Sequence, residues 1–488
     1  MSADRIPSGY NTPIPEEITT PDVVDSRIGT LRFTDGVPTA ETAETLFDHL
    51  DFLRGVEAFL NCIPAASMEA LRVGFGEVGA DAINKVVISD RLLNADGLLL
   101  TGNADTVYVS GFFDLEESGP AVVEVPPGSG PGTVNDAWFR FVIDMGPPGP
   151  DRGEGGKYLI LPPGYEGDVP DGYFVAESRS NSNWLILRGF LVDGKPDAAV
   201  KMFTEGLRVY ALADADDPAE MEFHSFSGKR FNTIHANDFE FYEEVAPVIQ
   251  REPIDLIDLE TRGLLASIGI HKDKPFNPDD RMRRLLVEAA EVANATARAI
   301  YFHLRDPSAY NWEDRYWHTF FLRDEYRWLF DEGRGGRYAD ARALFFYVAT
   351  VNTPAMAWKL IAKGSQYAGI DLDADGDFLD GSRSYRLRIP PDVPAKNFWS
   401  MCVYDPQTRS MLQTGQKFPS RNNVSGDLEP NEDGSFDLFF GPEPPAEKQG
   451  NWIQTVPEKG WFAIIRMYGP LEPWYDGTWR PGNIQKLN

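Results

Sequence analysis

Cysteine is almost missing from this chain: Cys62 and Cys402 are its two copies among 488 residues. They could form at most one bridge, and no Cys-x-x-Cys pair exists, so a disulfide framework and a cysteine-based zinc site are excluded. Both lie in apolar stretches, "AFLNCIPAA" and "FWSMCVYD", where a thiol is expected to be buried and inert. Histidine is scarce too. The six copies offer no His-x-His or His-x-x-x-His pair, and His224 and His235 could meet only across a hairpin. No phosphate-cradling Gly-x-x-x-x-Gly-Lys-Ser/Thr occurs, and no Gly-x-Gly-x-x-Gly stands between a strand and a helix. The Gly-x-Ser-x-Gly nucleophile elbow is absent as well, which argues against an ordinary α/β-hydrolase triad.

Positive charge is also in short supply. Lys and Arg number 46 against 75 Asp and Glu, a net charge of −29, and there is no basic run. Nucleic acid and anionic membrane both need a basic footprint, so neither is expected as a partner. Nowhere do eighteen apolar residues run together, and "MSADRIPSGYNTPIPEEITTPD" lacks an apolar core for export. The expectation is a soluble, cytoplasmic protein.

What is present is aromatic and turn-rich sequence, with 11 Trp, 18 Tyr, 31 Phe, 44 Gly and 37 Pro. The length favours two or three domains. Residues 1–37, rich in Pro and Thr, read as an extended arm. From residue 40 the period becomes helical, with Leu46, Leu50, Leu53 and Val56 in step and Thr39 or Thr42 as cap, and a second short helix is expected over 67–74. Strand signals then recur between Gly/Pro turns from "GLLL" near 97 to "NWLILRG" near 189, which predicts a first antiparallel β-sandwich within 38–215. Asp197 is a plausible cap for a helix that follows. Residues 216–365 read as a mainly helical connector, most clearly where Leu286, Ala289, Ala293, Ala297 and Ile300 line one face. Strands return over 366–488. The fold class expected is α+β: two antiparallel, jelly-roll-like β-sandwich domains joined by helices.

Three stretches could carry chemistry. In "GNADTVYVS", the Asp105 carboxylate could act as general base with Tyr108 as donor; alternatively Asn103 and Asp105 form an Asx-turn that only shapes the start of the strand. In "IIRMYGPLEPWYDGTWRPGNI", Arg466, Tyr468, Trp474 and Trp479 suit stacking on a planar or sugar-like ligand, or equally a tail strapped over a sheet. In "DLDADGDFLDGS", Asp371, Asp373 and Asp375 match the start of a calcium loop, but Ser382 stands where the bidentate carboxylate belongs. A tight acidic turn is the competing reading. No other cofactor is indicated.

Taken together, these motifs resemble the bacterial proteins that join domain of unknown function 1254 to domain of unknown function 1214. The first pattern is carried by Asn103, Asp105, Thr106, Tyr108, Asp114-Leu115, "VEVPP", Gly155-Gly156-Lys157-Tyr158 and Arg188. The second is carried by Trp399-Ser400, Tyr404-Asp405, Asn431, Asp433-Gly434-Ser435, Asn451-Trp452, Arg466, Tyr468, Pro470, Thr478-Trp479 and Pro481. The insert "GPPGPDRGE" between 145 and 155 departs from the first pattern and puts the local register in question. The resemblance implies paired β-sandwiches with helices between and assigns no activity. Because signature residues sit in both halves, it implies a shared cleft. The candidate catalytic residues are then Asp105, Tyr108 and Arg466, and the candidate ligand-binding residues are Asn103, Thr106, Arg188, Trp399, Tyr404, Tyr468, Trp474 and Trp479. Two functions fit: an enzyme, hydrolytic or eliminative, on a small organic or sugar-like substrate, or a non-catalytic ligand-binding or scaffold protein. A homo-oligomer is compatible with either.

Overall fold

The computed structural model describes residue 12 and residues 14–487. Part of the expected arm thus lies outside the described residues. Its remainder is not simply extended: Val23–Ser26, Gly29–Thr34 and Val37–Pro38 pair as an antiparallel meander. Gly29 and Gly36 make its turns possible, since both take positive φ values that side chains resist.

The helix Ala40–Val78 starts where the sequence indicates, with the Thr39 hydroxyl accepting from the Thr42 N–H. It corrects the expectation of two helices. Pro64 lies inside it, and the expected second helix is its C-terminal continuation, held by the buried run from Ala65 to Leu71. Asp280–Phe302 packs along it, with Leu286, Ala289, Ala293 and Ala297 fully buried. A Cβ at Gly55 would sit 2.7 Å from that of Ala289, so glycine sets how closely the two helices approach. Asp197 is the first residue of the helix Asp197–Gly206 rather than its side-chain cap, because Pro196 occupies the capping position.

In the first half, a six-stranded sheet runs in the order Glu222–Ser225, Lys85–Ile88, Val107–Asp114, Ser182–Gly189, Gly132–Asp136, Phe141–Met145. Val109, Leu185, Leu187 and Val134 share a core with Val123, Tyr158, Ile160 and Val209 of a four-stranded sheet that packs against it. The opposite face, with Tyr108, Phe112, Trp184 and Ile186, packs onto the helices. Burial on both faces explains why "VYVSGFF" reads as a continuous apolar run rather than an alternating one. The insert is a compact turn: Asp151 accepts from Gly155 N–H at 3.1 Å and from the Tyr158 hydroxyl at 2.6 Å. The register before it is set by Gly132 opposite Met145.

The second half repeats the plan. Ser365–Ile370, Phe462–Pro470, Ala395–Tyr404 and Ser420–Asn422 form one sheet, and Met401, Ile465 and Met467 meet Leu387, Ile389, Leu438 and Phe440 of the other. The class is therefore mixed α and β, with mostly antiparallel sheets and no closed barrel. The jelly-roll expectation does not match the pairing seen: Gly156–Leu161 with Phe174–Glu177, Lys85–Ile88 with Glu222–Ser225, and Phe436–Gly441 with Trp452–Gln454 are parallel. Among the described residues no helix is long and apolar enough to cross a membrane.

Candidate functional site

The segment 99–106 leaves the first half and docks against the outer face of the Ala395–Tyr404 sheet. Thr101 N–H donates to Arg409 O at 2.8 Å, and the Tyr404 hydroxyl donates to Gly102 O at 2.8 Å. Asn103 then closes the Asx-turn read from the sequence, its Oδ1 accepting from Asp105 N–H at 2.9 Å and from the Thr106 hydroxyl at 3.3 Å. Its other end reaches across the halves: Nδ2 donates to the hydroxyls of Tyr108 and Tyr468.

Asp105 does not follow the local-turn reading. Its carboxylate accepts from the Ser420 hydroxyl at 2.9 Å and from Asn422 Nδ2 at 2.8 Å, both on the C-terminal half. Burial raises its pKa, and the Asn422 and Ser420 bonds and the nearby Arg466 charge pull in the other direction. It is a buried latch between the halves.

Next to this latch lies a cavity of about 50 Å3, lined in part by Asn103, Tyr108, Arg188, Tyr367 and Arg466. The geometry is matched from both sides. On the first half Arg188 stands opposite Tyr108 in neighbouring strands, its guanidinium carbon 5.8 Å from the ring centre. On the second, Arg466 stands opposite Tyr367, again at 5.8 Å, with Tyr404 at 5.5 Å. Arg188 donates to Pro131 O at 3.4 Å, and Arg466 Nη2 donates to Thr101 O at 2.6 Å while its buried Nη1 has no partner among the described residues. Both arginines are buried. Among the described residues neither has a carboxylate within ion-pair distance; Asp144 and Asp105 are near enough only to feel their charge. Burial pushes the hydroxyls of Tyr108 and Tyr468 up, so both are neutral donors at pH 7. The remaining wall is hydrocarbon, including Leu99, Ile186, Phe320, Phe345, Val351 and Ile464.

Of the residues singled out from sequence, Asn103, Tyr108, Arg188 and Arg466 line this cavity, and Thr106, Tyr404 and Tyr468 brace its rim. The tryptophans do not reach it. Trp399 packs on Phe436, Trp474 meets Trp312 edge to face, and Trp479 Nε1 donates to Pro391 O at 3.1 Å, all in the far core of the second half. The tail-strap alternative describes Trp474 and Trp479. The acidic turn has a cation of the chain's own beside it. Lys486 Nζ lies 3.0 Å from Asp373, 3.2 Å from Asp375 and 2.6 Å from Asp377. Asp373 Oδ1 accepts from Asp375 and Asp377 N–H. Asp371 is buried apart from them, its pKa pushed up to about 7 by burial. No group of three or more metal-ligating side chains occurs among the described residues. His224 sits against Gly79, while His235 lies among Phe59, Phe241 and Tyr347, so the two keep separate surroundings.

Several contributors carried no sequence signal. Ser420, Asn422 and Tyr367 meet the cavity and its latch only through strand register. Val351 and Thr101 line the cavity with positive φ, at 71° and 42°. For a β-branched residue that is a strained backbone, of the kind that concentrates at functional sites.

Two family models match the chain, in the order the motifs suggest: a protein of unknown function (DUF1254) over residues 83–211 and a protein of unknown function (DUF1214) over 364–472. The chain combines these two domains. No curated protein matches it. Among solved structures it is similar to the VPA0106 protein from Vibrio parahaemolyticus. The identity is 18%, over 90% of this chain and 100% of that one, with a TM-score of 0.50, which shows a shared fold and no more. A protein from Burkholderia cenocepacia aligns at 12% identity over 91% of this chain and 96% of that one, with a TM-score of 0.41.

Proposed function

We propose that the chain is a small-molecule protein whose inter-domain cavity takes a short organic acid. The observation that carries this is the pair of matched Arg–Tyr sets, Arg188 with Tyr108 and Arg466 with Tyr367, facing one hollow with no carboxylate within ion-pair distance among the described residues. Burying a guanidinium costs several kcal/mol unless an anion and full hydrogen bonding offset it, so an anionic guest is the natural complement. Size narrows the class. At about 10–15 Å3 per water-sized group, 50 Å3 admits roughly three to five such groups. That suits a short acid whose carboxylate meets the arginines and whose carbons meet Leu99, Ile186 and Ile464.

The enzyme reading, hydrolytic or eliminative, is favoured by one feature of the same cavity. The neutral Tyr108 hydroxyl lies beside two guanidiniums, an arrangement that can donate a proton and stabilise developing negative charge. Asp105 suits the role of base poorly, because both its oxygens are held by the C-terminal half. The net charge of −29 argues against nucleic acid and anionic membranes as partners.

The test is thermal melting with acetate, lactate, pyruvate and succinate, each against its uncharged amide or alcohol. At one hundred times Kd, a ligand that binds only the folded chain stabilises it by about 2.7 kcal/mol. Acids that raise Tm where their neutral analogues do not, with the effect abolished in Arg466→Met and reduced in the charge-keeping Arg466→Lys, support the reading. Equal response to acids and amides would sink it. Product analysis of the same mixtures separates turnover from binding.

A further inference from the structure

A second, larger pocket of about 370 Å3 lies behind an aromatic layer from the first. Phe321 and Phe345 face the inter-domain cavity. Trp328 and Phe346 face the second pocket, with Trp328 stacked on Phe321 at 5.4 Å and Phe346 edge-on to Phe345 at 5.0 Å. In a chain carrying 29 excess negative charges, this pocket gathers Arg140, Arg179, Arg327, Arg337 and Arg342.

Its carboxylates are already engaged. Asp136 Oδ1 accepts from Trp138 and Arg140 N–H, both at 2.8 Å, and Glu177 accepts from Gly164 N–H at 2.9 Å. Arg327 pairs with Glu325 at 2.9 Å, and Arg140 lies 3.8 Å from Asp136. Arg179, Arg337 and Arg342 have no carboxylate within ion-pair distance among the described residues. Arg342 Nη2 donates to Asn61 at 2.7 Å, while its buried Nε has no partner. Burial and mutual repulsion bear on the group: Arg342 is lowered to about 10, first by burial and then by Arg337. A further polar atom awaits a partner. Trp328 is 3% exposed, lines the pocket, and its buried indole N–H has no acceptor among the described residues.

We propose that this pocket is a second ligand site, for a multiply charged oxyanion, a phosphate compound or a polycarboxylate, carried on an organic body. Converging guanidiniums without acidic partners recognise such groups through forked hydrogen bonds. The volume falls within the range usual for small-molecule sites, and Trp138, Phe141 and Tyr326 supply flat apolar wall for the rest of the molecule. The site stands independently of the inter-domain cavity, which is far smaller and faces the other side of the ring layer.

Calorimetric titration of the full chain with pyrophosphate, citrate and acetate tests this. Pyrophosphate or citrate should bind with a Kd below about 1 mM and acetate should not compete; which of the two binds more tightly identifies the oxyanion. Arg179→Gln with Arg337→Gln replaces two exposed side chains. It should weaken the binding at least about 100-fold, the loss of two charge-assisted bonds, at unchanged Tm in the absence of ligand. Trp328→Phe, which removes the N–H together with part of the ring wall, should weaken it several-fold. Absence of binding by either anion at 10 mM, binding unchanged in the double variant, or binding lost instead in Arg466→Met would overturn the proposal. The last of these would place the anion in the inter-domain cavity.

Discussion

Replacing Asp105 separates its latch role from a catalytic one. The Asp105→Ala change strands the Ser420 hydroxyl and Asn422 Nδ2, both buried and both bonded to the carboxylate at 2.8–3.0 Å. At about 1–3 kcal/mol per stranded buried group, the cost is about 2–6 kcal/mol. Asp105→Asn should behave differently. Its amide oxygen can still accept from Asn422, its NH2 can donate to Ser420, and it escapes the burial penalty that raises the carboxyl pKa. Its expected effect is within about 1 kcal/mol of the native chain. Urea unfolding followed by tryptophan fluorescence and by circular dichroism measures both. Because the latch joins the two halves, the alanine variant should also separate the transitions seen by the two probes. An asparagine variant as unstable as the alanine one would refute the hydrogen-bond argument. A turnover abolished in Asp105→Asn at unchanged unfolding midpoint would make Asp105 a base after all.

Three other outcomes are expected. Glu244, pushed up to about 8 chiefly by burial, holds its proton in the folded chain at a pH where the unfolded chain has lost it. Stability should therefore fall by a few kcal/mol as pH rises from about 4.5 to about 8 and level off beyond. Glu244→Gln should flatten that part of a pH series of urea midpoints, and a slope left unchanged would contradict it. Gly74→Ala places a Cβ 2.0 Å from the backbone oxygen of Asn232 and should cost about 1–3 kcal/mol in the same unfolding assay; a neutral result would mean the helix shifts freely there. Lys486→Met should lower Tm by leaving the buried Asp373 without its cation, and adding Asp373→Asn should restore it, since Asn can still accept from the two turn N–H groups. If the double variant melts no higher than the single one, the ion pair is not what holds the turn.

Much of the fold was legible because its signals are local. Thr39 caps a helix with its own hydroxyl, and Leu286, Ala289, Ala293 and Ala297 recur at helical spacing, so no distant partner is needed to read them. Asn103 closed its turn for the same reason. The misreadings share a different cause. Pro64 invites a break, but the tertiary burial of its neighbours carries the helix through. The tryptophans of the tail promise a binding wall by composition alone, whereas the turn after the strand Phe462–Pro470 carries them into the far core. Asp105 looked local and proved to bond residues more than 300 positions away. The stretch 303–338 has helical neighbours on both sides, yet it forms short 3-10 turns and isolated β-bridges.

The placement of the arginines links binding to the joining of the two halves. Arg188 belongs to a strand of the first half and Arg466 to a strand of the second, and each brings its own tyrosine. Separated, each guanidinium could be hydrated; brought together, both lose water and gain carbonyl partners at Pro131 and Thr101 but, among the described residues, no ion-paired carboxylate. On the proposed reading, an anion between them would turn this repulsive, dehydrated pair into a bridge. Its binding energy would then add to the free energy that holds the halves together, and the Asp105 latch and the Asn103 bond to Tyr468 would lower its Kd by holding the arginines in place before it arrives. The reciprocal also holds: whatever loosens the latch must weaken the anion by the same factor. The strain at Thr101 and Val351 fits that economy, since both residues lie where the halves meet, and it is sustained only while the surrounding contacts persist.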